Sequence, residues 1–184
     1  GHGNGLGASS LQVGRATTAD AEMLATAREA VSHSKLVTLA LAGFATRGRD
    51  LALAIATGID VVRLGAHCTE ADLAVPHIDF VRSHGVEAHG VLMMAHWAPV
   101  DVLCGQARLM VDAGAQAIIV MDSAGTLTPG STTERIAALA ESVAVPVGFH
   151  AHDNLGFAVA NGVAAVNAGA TILDASARGF GAGA

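Results

Sequence analysis

Four glycines, Gly58, Gly85, Gly114 and Gly169, each close an amphipathic segment, and each is soon followed by a short apolar run. Glycine just past a periodic segment marks a helix C-terminus, because it enters the left-handed region that most residues avoid. The apolar runs are Val61-Val62-Arg63-Leu64, Ala88 to Met94, Ala117 to Met121 and Thr171-Ile172-Leu173. Leu36 to Leu41 and Val145 to Phe149 fit the same rhythm. The first three glycines are 27 and 29 residues apart, and the step to Gly169 is 55, two units with one unmarked helix end. Helix starts agree: Ser131-Thr132-Thr133-Glu134 reads as a capping box, and Thr69-Glu70-Ala71-Asp72 as a near version. Six strands separated by helices at even spacing call for a parallel sheet, and the regularity favours a (β/α)8 barrel over a doubly wound sheet.

Composition supports buried strands. Hydrophobic residues make up 52% of the 184 residues but aromatics only 3%, with no Tyr. The apolar mass is Ala, Val, Leu and Ile, as a sheet covered on both faces requires. A net charge of −6 without a basic run argues against nucleic acid as a partner. The longest apolar stretches are too short to span a bilayer, so no membrane role is expected. Cys68 and Cys104 form no CxxC and no disulfide framework, which fits a reducing cytoplasm. The chain opens at Gly1 in a loop-like segment and stops at Gly183-Ala184 in a Gly-rich one. It reads as one partial barrel domain over 1–184, a fragment of about six βα units.

In such barrels chemistry gathers at the C-terminal ends of the strands. Here those ends carry His67-Cys68, Met94-Ala95-His96, Asp122-Ser123, His150-Ala151-His152-Asp153 and Asp174-Ala175-Ser176. The sharpest is His150-x-His152, since residues i and i+2 on a strand share a face and both imidazoles can reach one cation. The spacing alone equally admits two hydrogen-bonding histidines at a barrel mouth. Asp153 would face the other way and is the weaker candidate for a third ligand. Ser123 is either a contact for a substrate carboxylate or, with Asp122, a loop-start residue satisfying backbone N–H groups. His67 and His96 read as packing residues or as residues that support a ligand from behind, rather than as ligands, and Cys68 as a small buried hydrophobe.

Two absences narrow the chemistry. The loop Gly3-Asn4-Gly5-Leu6-Gly7 resembles a phosphate loop, but the next strand ends in Ala42-Gly43 with no acid for a ribose hydroxyl, against dinucleotide binding. The only lysine is Lys35, at the start of a strand and so at the wrong end for a Schiff-base aldolase. Carbon–carbon chemistry on a keto acid would then need a metal as electron sink.

Several blocks occur in order along the chain: His67-Cys68-Thr69-Glu70-Ala71-Asp72, Gly90-Val91-Leu92-Met93-Met94-Ala95-His96, Asp122-Ser123-Ala124-Gly125 and Gly148-Phe149-His150-Ala151-His152-Asp153-Asn154-Leu155-Gly156. Together they resemble the strand-end signatures of the 4-hydroxy-2-oxovalerate aldolases. The opening His2 to Gly7 and closing Phe180 to Ala184 match in kind. In that alignment the six strands are the third to eighth of the barrel. The wider group is the pyruvate-enolate barrels, which include isopropylmalate and homocitrate synthases.

The resemblance implies a divalent cation, usually Mn²⁺ but also Mg²⁺ or Co²⁺, held by His150, His152 and an Asp of the first strand. It places His150 against the substrate and Ser123 in contact with it. The family's Arg-Asp-Gly-x-x-His segment, bearing the enolate-stabilising Arg, the third ligand and a base, belongs upstream, so no catalytic residue is assigned within this sequence. Also implied are a small 2-keto acid substrate, cleavage to pyruvate and acetaldehyde in aromatic-compound catabolism, and an acylating acetaldehyde dehydrogenase partner. The sequence departs from the family at Asn4, usually Asp, and at Ala42, typically Pro. A Claisen-type acyl-CoA condensing enzyme shares the His-x-His pair, and an inactive barrel fragment is the reading from another class.

Overall fold

The structure is a computed structural model that describes residues 5–8, 14 and 16–176. The chain ends that share the family signature, His2 to Asn4 and Phe180 to Ala184, lie outside the described residues.

Helices and strands alternate. Helix α1 (Asp20–Ala30) leads to β1 (Val37–Leu41), then α2 (Ala52–Ala56) and β2 (Val61–His67). There follow α3 (Val75–Ser83), β3 (Glu87–Met93), α4 (Val100–Asp112), β4 (Ala117–Asp122), α5 (Pro129–Ser142) and β5 (Val147–Ala151). Helix α6 (Ala158–Asn167) and β6 (Ile172–Leu173) complete the series. The strands form one sheet in sequential order, every neighbour parallel. Sequential parallel order with a helix in each crossover is the winding of a (β/α)8 barrel. Six strands are present among the described residues, so the barrel is incomplete.

The repeat signal translates directly into backbone. Gly58, Gly85, Gly114 and Gly169 all have positive φ, between 76° and 109°, just beyond their helices. The unmarked helix end is α5, which runs out into the extended Val143.

Both faces of the sheet are covered, by different residues. Facing the helices, Leu64, Leu92, Ile118 and Phe149 pack with Ile78, Leu103, Ile136 and Leu139, all buried. Each such side chain contributes about 1.5–3 kcal/mol of transfer free energy. Facing the barrel interior, Val91, Ile119 and Met121 pack with Leu39, Met93 and Ile172. Strand alternation puts Arg63, His67, His150 and Asp174 on this interior side, the last three at or near its C-terminal rim and Arg63 lower, in the first half of β2.

Three local expectations are corrected. The capping box of α5 is built by Thr128 and Ser131, with Thr128 as N-cap and Pro129 opening the helix, so Ser131 stands at the third helical position. Proline at the first helical turn loses no intrahelical bond, which lets the helix begin three residues early. Thr69 caps nothing: its hydroxyl meets His67 Nδ1 at 2.7 Å, and Ala71–Leu73 is one 3₁₀ turn. The fifth strand starts at Val147 rather than Val145, since Pro146 has no N–H to offer the ladder. The strand also runs on to Ala151 instead of ending at Phe149, which takes His150 into it.

Candidate metal and substrate site

The site is built at the C-terminal rim by the ends of β4, β5 and β6, with one contribution from β2. His150 lies within β5 and His152 one residue past its end, on the same side, as their spacing requires. Their Nε2 atoms approach to 3.1 Å and their rings meet edge to face at 71°.

The other ring nitrogens are already engaged. His152 Nδ1 lies 2.9 Å from the backbone oxygen of Ser123. A carbonyl can only accept, so the proton sits on Nδ1 and Nε2 carries a lone pair. His150 Nδ1 lies 2.7 Å from Asp174 Oδ2, an acceptor that selects the same tautomer. The two imidazoles therefore aim two lone pairs at one region. In their neutral forms these lone pairs repel, and a divalent cation between them would turn repulsion into ligation. Two cis ligands about 2.1 Å from a metal stand about 3 Å apart, the spacing observed. The donor set thus fits a metal. Among the described residues no group of three or more His, Cys, Asp or Glu side chains converges on such an ion, and the pair is what the described residues offer it.

Asp174 is the residue that sequence reasoning left without a role. Besides His150 it takes both terminal nitrogens of Arg63, at 2.5 and 2.8 Å. Arg63 comes from β2, 111 residues away, across the barrel interior. Burial alone would raise the Asp174 pKa, but hydrogen bonds from His150 and Arg63, with the Arg63 charge, outweigh it and hold the carboxyl down at about 2. An arginine inside an otherwise apolar strand, Val61-Val62-Arg63-Leu64, was the available signal. Nothing in spacing pairs it with a residue four strands away.

Ser123 satisfies a backbone N–H, the second of the two roles the sequence left open. Its Oγ accepts the Met94 N–H at 2.9 Å, so its own proton remains free to donate. Met94 adopts φ 55°, uncommon for a residue with a side chain, and its carbonyl accepts from Cys68 Sγ at 3.2 Å. Arg135 of α5 steadies the same loop through the carbonyls of Ala95 and Ala98, both at 3.2 Å. Asp122 is fully buried and structural: its oxygens accept from the N–H groups of Thr126 and Leu127.

The remaining candidates stand aside. Asp153 accepts the Ala158 N–H at 2.8 Å, at the start of α6, and does not join the histidines. His67 pairs with Thr69 and lies edge-on to Trp97, while His96 Nδ1 is buried without a partner among the described residues. Cys68 is buried, and burial pushes its thiol pKa up, as for an inert cysteine. Lys35 pairs with Glu87 at the opposite end of the sheet.

The loop after β4 holds the loop after β5 through Gly125. Its φ is 61°, and a Cβ there would lie 2.5 Å from Asn154 N and 2.9 Å from the carbonyl carbon of His152. Below the histidines, a Cβ on Gly148 would fall 2.5 Å from Ile119 Cδ1. The site thus has a packed floor and a wall set by direct backbone contact.

Fold and site together define a parallel α/β barrel with a histidine pair at its C-terminal rim. The family model for HMGL-like proteins matches residues 5–184, and the chain belongs to that family, which is divalent-metal-dependent. Curated relatives carry the name 4-hydroxy-2-oxovalerate aldolase. That of Serratia proteamaculans is 58% identical over the whole chain, which covers 55% of the relative. That of Streptomyces griseus is 57% identical, again over the whole chain and 54% of the relative. That of Spirochaeta aurantia is 53% identical, also with 54% covered. The chain thus spans about half the length of the curated relatives it matches. Among solved structures, the carboxyl transferase domain of Rhizobium etli pyruvate carboxylase superposes with TM-score 0.78 at 24% identity, over 86% of this chain and 30% of that one. This second likeness concerns the fold alone. Among the described residues, no helix is long and apolar enough to cross a membrane.

Proposed function

We propose that the protein is a lyase that cleaves 4-hydroxy-2-oxovalerate (4-hydroxy-2-oxopentanoate) to pyruvate and acetaldehyde with a divalent cation, Mn²⁺ first, held in part by His150 and His152. The observation that carries this reading is the convergence of the two Nε2 lone pairs at 3.1 Å, on the barrel face where such enzymes work. The aldolase name shared by relatives at 53–58% identity supports the substrate and gives no support to an acyl-CoA condensing enzyme.

A cation held in part by His150 and His152 would supply Lewis acidity to stabilise the charge that develops on a 2-keto acid when its C3–C4 bond is cleaved. The chain's own residues prepare that event. His150 and His152 present unprotonated nitrogens because Asp174 and the Ser123 carbonyl hold the protons on Nδ1. Ser123 directs its free hydroxyl proton to a substrate carboxylate oxygen. The apolar floor of Ile119 and Ile172 keeps water from beneath the reacting carbons. The base that takes the proton of the 4-hydroxyl is not among the described residues.

Acetaldehyde is volatile and reactive, which favours direct transfer to an acylating aldehyde dehydrogenase partner. The two free, buried cysteines suit a reducing cytoplasm. Residues 1–184 are read as one partial barrel domain.

The test is pyruvate release from 4-hydroxy-2-oxopentanoate by the full reading frame, with Mn²⁺ and with chelator, beside the His150→Ala/His152→Ala double variant. Metal-dependent pyruvate that disappears in the variant is expected. A folded, metal-loaded protein that releases none would contradict the aldolase reading.

A further inference from the structure

The described residues place one ionic cluster inside the barrel, and it reaches the histidine pair from behind. Asp174 Oδ2 meets His150 on Nδ1, the side of the ring opposite to the nitrogen aimed at His152. Asp174 is therefore placed to act on His150 rather than to share its cation. Arg63 grips the same carboxylate at two points. Both side chains are about four-fifths shielded from solvent, 20% exposed for Arg63 and 19% for Asp174.

Each member answers a need of the next. A carboxylate with one free rotation could swing away from the imidazole, and two parallel N–H···O bonds remove that freedom. An uncompensated carboxylate in this interior would be costly, and the guanidinium neutralises it without competing for the imidazole. A lone histidine could carry its proton on either nitrogen, and a fixed acceptor at Nδ1 leaves Nε2 open. Arg63 spans from β2 to the end of β6, so the ring orientation is set by elements on opposite sides of the interior.

We propose that Arg63 and Asp174 are positioning residues: Arg63 locks Asp174, and Asp174 fixes the tautomer and ring angle of His150 so that Nε2 is offered to the cation. This rests on the metal-ligand reading above. Second partners of this kind change metal affinity about 10–100-fold when removed. Asp174→Asn is the sharper variant, because it preserves shape while an amide NH₂ can donate to Nδ1 and drive the proton to Nε2.

The experiment uses the full reading frame. Mn²⁺ affinity is measured from the loss of the free-ion paramagnetic resonance signal in the natural protein, Asp174→Asn and Arg63→Lys. Thermal midpoints are recorded on the same samples. In parallel, ¹⁵N resonances of the histidine rings in the metal-free natural protein report the His150 tautomer.

The expected result is a 10–100-fold weaker Mn²⁺ affinity in Asp174→Asn, a smaller loss in Arg63→Lys, and a natural His150 protonated on Nδ1. A merely structural role would lower the thermal midpoint but leave affinity per folded molecule unchanged. Affinity within twofold of the natural protein in a folded Asp174→Asn overturns the inference while leaving the metal reading standing. A natural His150 protonated on Nε2 also overturns it, even if Asp174→Asn does not fold. Failure of the natural protein itself to bind Mn²⁺ overturns the metal reading, and this inference with it.

Discussion

His150 Nε2 stands 3.1 Å from His152 Nε2 while each Nδ1 is held by an oxygen acceptor, Asp174 on one side and the Ser123 carbonyl on the other. Two nitrogens so arranged with no positive charge between them are electrostatically uncomfortable. A divalent cation between them would relieve this. Mn²⁺ at 100 times its dissociation constant is expected to stabilise the natural protein by about 2.7 kcal/mol, raising its melting midpoint. His152→Ala is expected to abolish most of that rise, and a full rise in this variant would place the ion elsewhere.

Gly125 is expected to tolerate no side chain. Alanine there must hold φ 61° and push its Cβ to 2.5 Å from Asn154 N, so backbone has to move. We expect Gly125→Ala to cost about 1–3 kcal/mol in urea unfolding, with weaker metal binding because the His152 loop shifts. Unchanged stability would mean that the two loops do not meet as described.

Ser123→Ala removes the acceptor of the Met94 N–H and the hydroxyl proton assigned to the substrate. A neutral hydrogen bond of this kind is worth about 0.5–1.5 kcal/mol, so stability should fall modestly. Loss of a contact made in both ground and transition states raises KM and leaves kcat nearly unchanged. A fall in kcat at constant KM would assign Ser123 to the chemical step instead.

Arg63→Ala leaves the Asp174 charge in the barrel interior without its bidentate partner. Breaking one side of a buried pair costs about 3–5 kcal/mol, and partial exposure here points to the lower end. The double variant Arg63→Ala/Asp174→Ala should recover part of the loss, giving a coupling energy of at least about 1 kcal/mol in a double-mutant cycle. Additive losses would show that the two residues act independently.

Acid stability follows from the same carboxylates. Asp174 is held at about 2 against an ordinary value of 3.8. Glu87 is lowered by hydrogen bonds from Lys35 and His89; at Asp50 burial is the largest single effect and raises the pKa, but the hydrogen bonds and charge of Arg49 with the hydrogen bonds of Thr46 together outweigh it. A carboxyl whose folded pKa is depressed binds protons more readily when unfolded, so its contribution is fully present above the unfolded value and is lost as pH falls through the folded one. Denaturant midpoints should therefore fall as pH drops from about 4.5 towards 2, and less steeply in Asp174→Asn. A flat profile would contradict the ionic cluster.

The repeat was legible because helix ends demand a residue tolerant of positive φ, and glycine announces itself in a sequence. His150 and His152 were legible as a pair because strand periodicity is strict. Arg63 and Asp174 were not, since their contact closes across the barrel interior from β2 to β6 and no local period records it. The capping of α5 was misplaced because Ser131-Thr132-Thr133-Glu134 fits the pattern, yet Thr128-Pro129 gives the helix an earlier start. The proposed substrate class rests on the family signatures, since no spacing of residues encodes it.

The most direct test of the account is pulsed electron paramagnetic resonance on the Mn²⁺-loaded full reading frame, counting imidazole nitrogens bound to the ion. Coupling to two nitrogens in the natural protein, to one in His150→Ala and one in His152→Ala, and to none in the double variant is expected. Nitrogen coupling that persists unchanged in the double variant, or is absent from the loaded natural protein, would contradict the histidine pair as metal ligands.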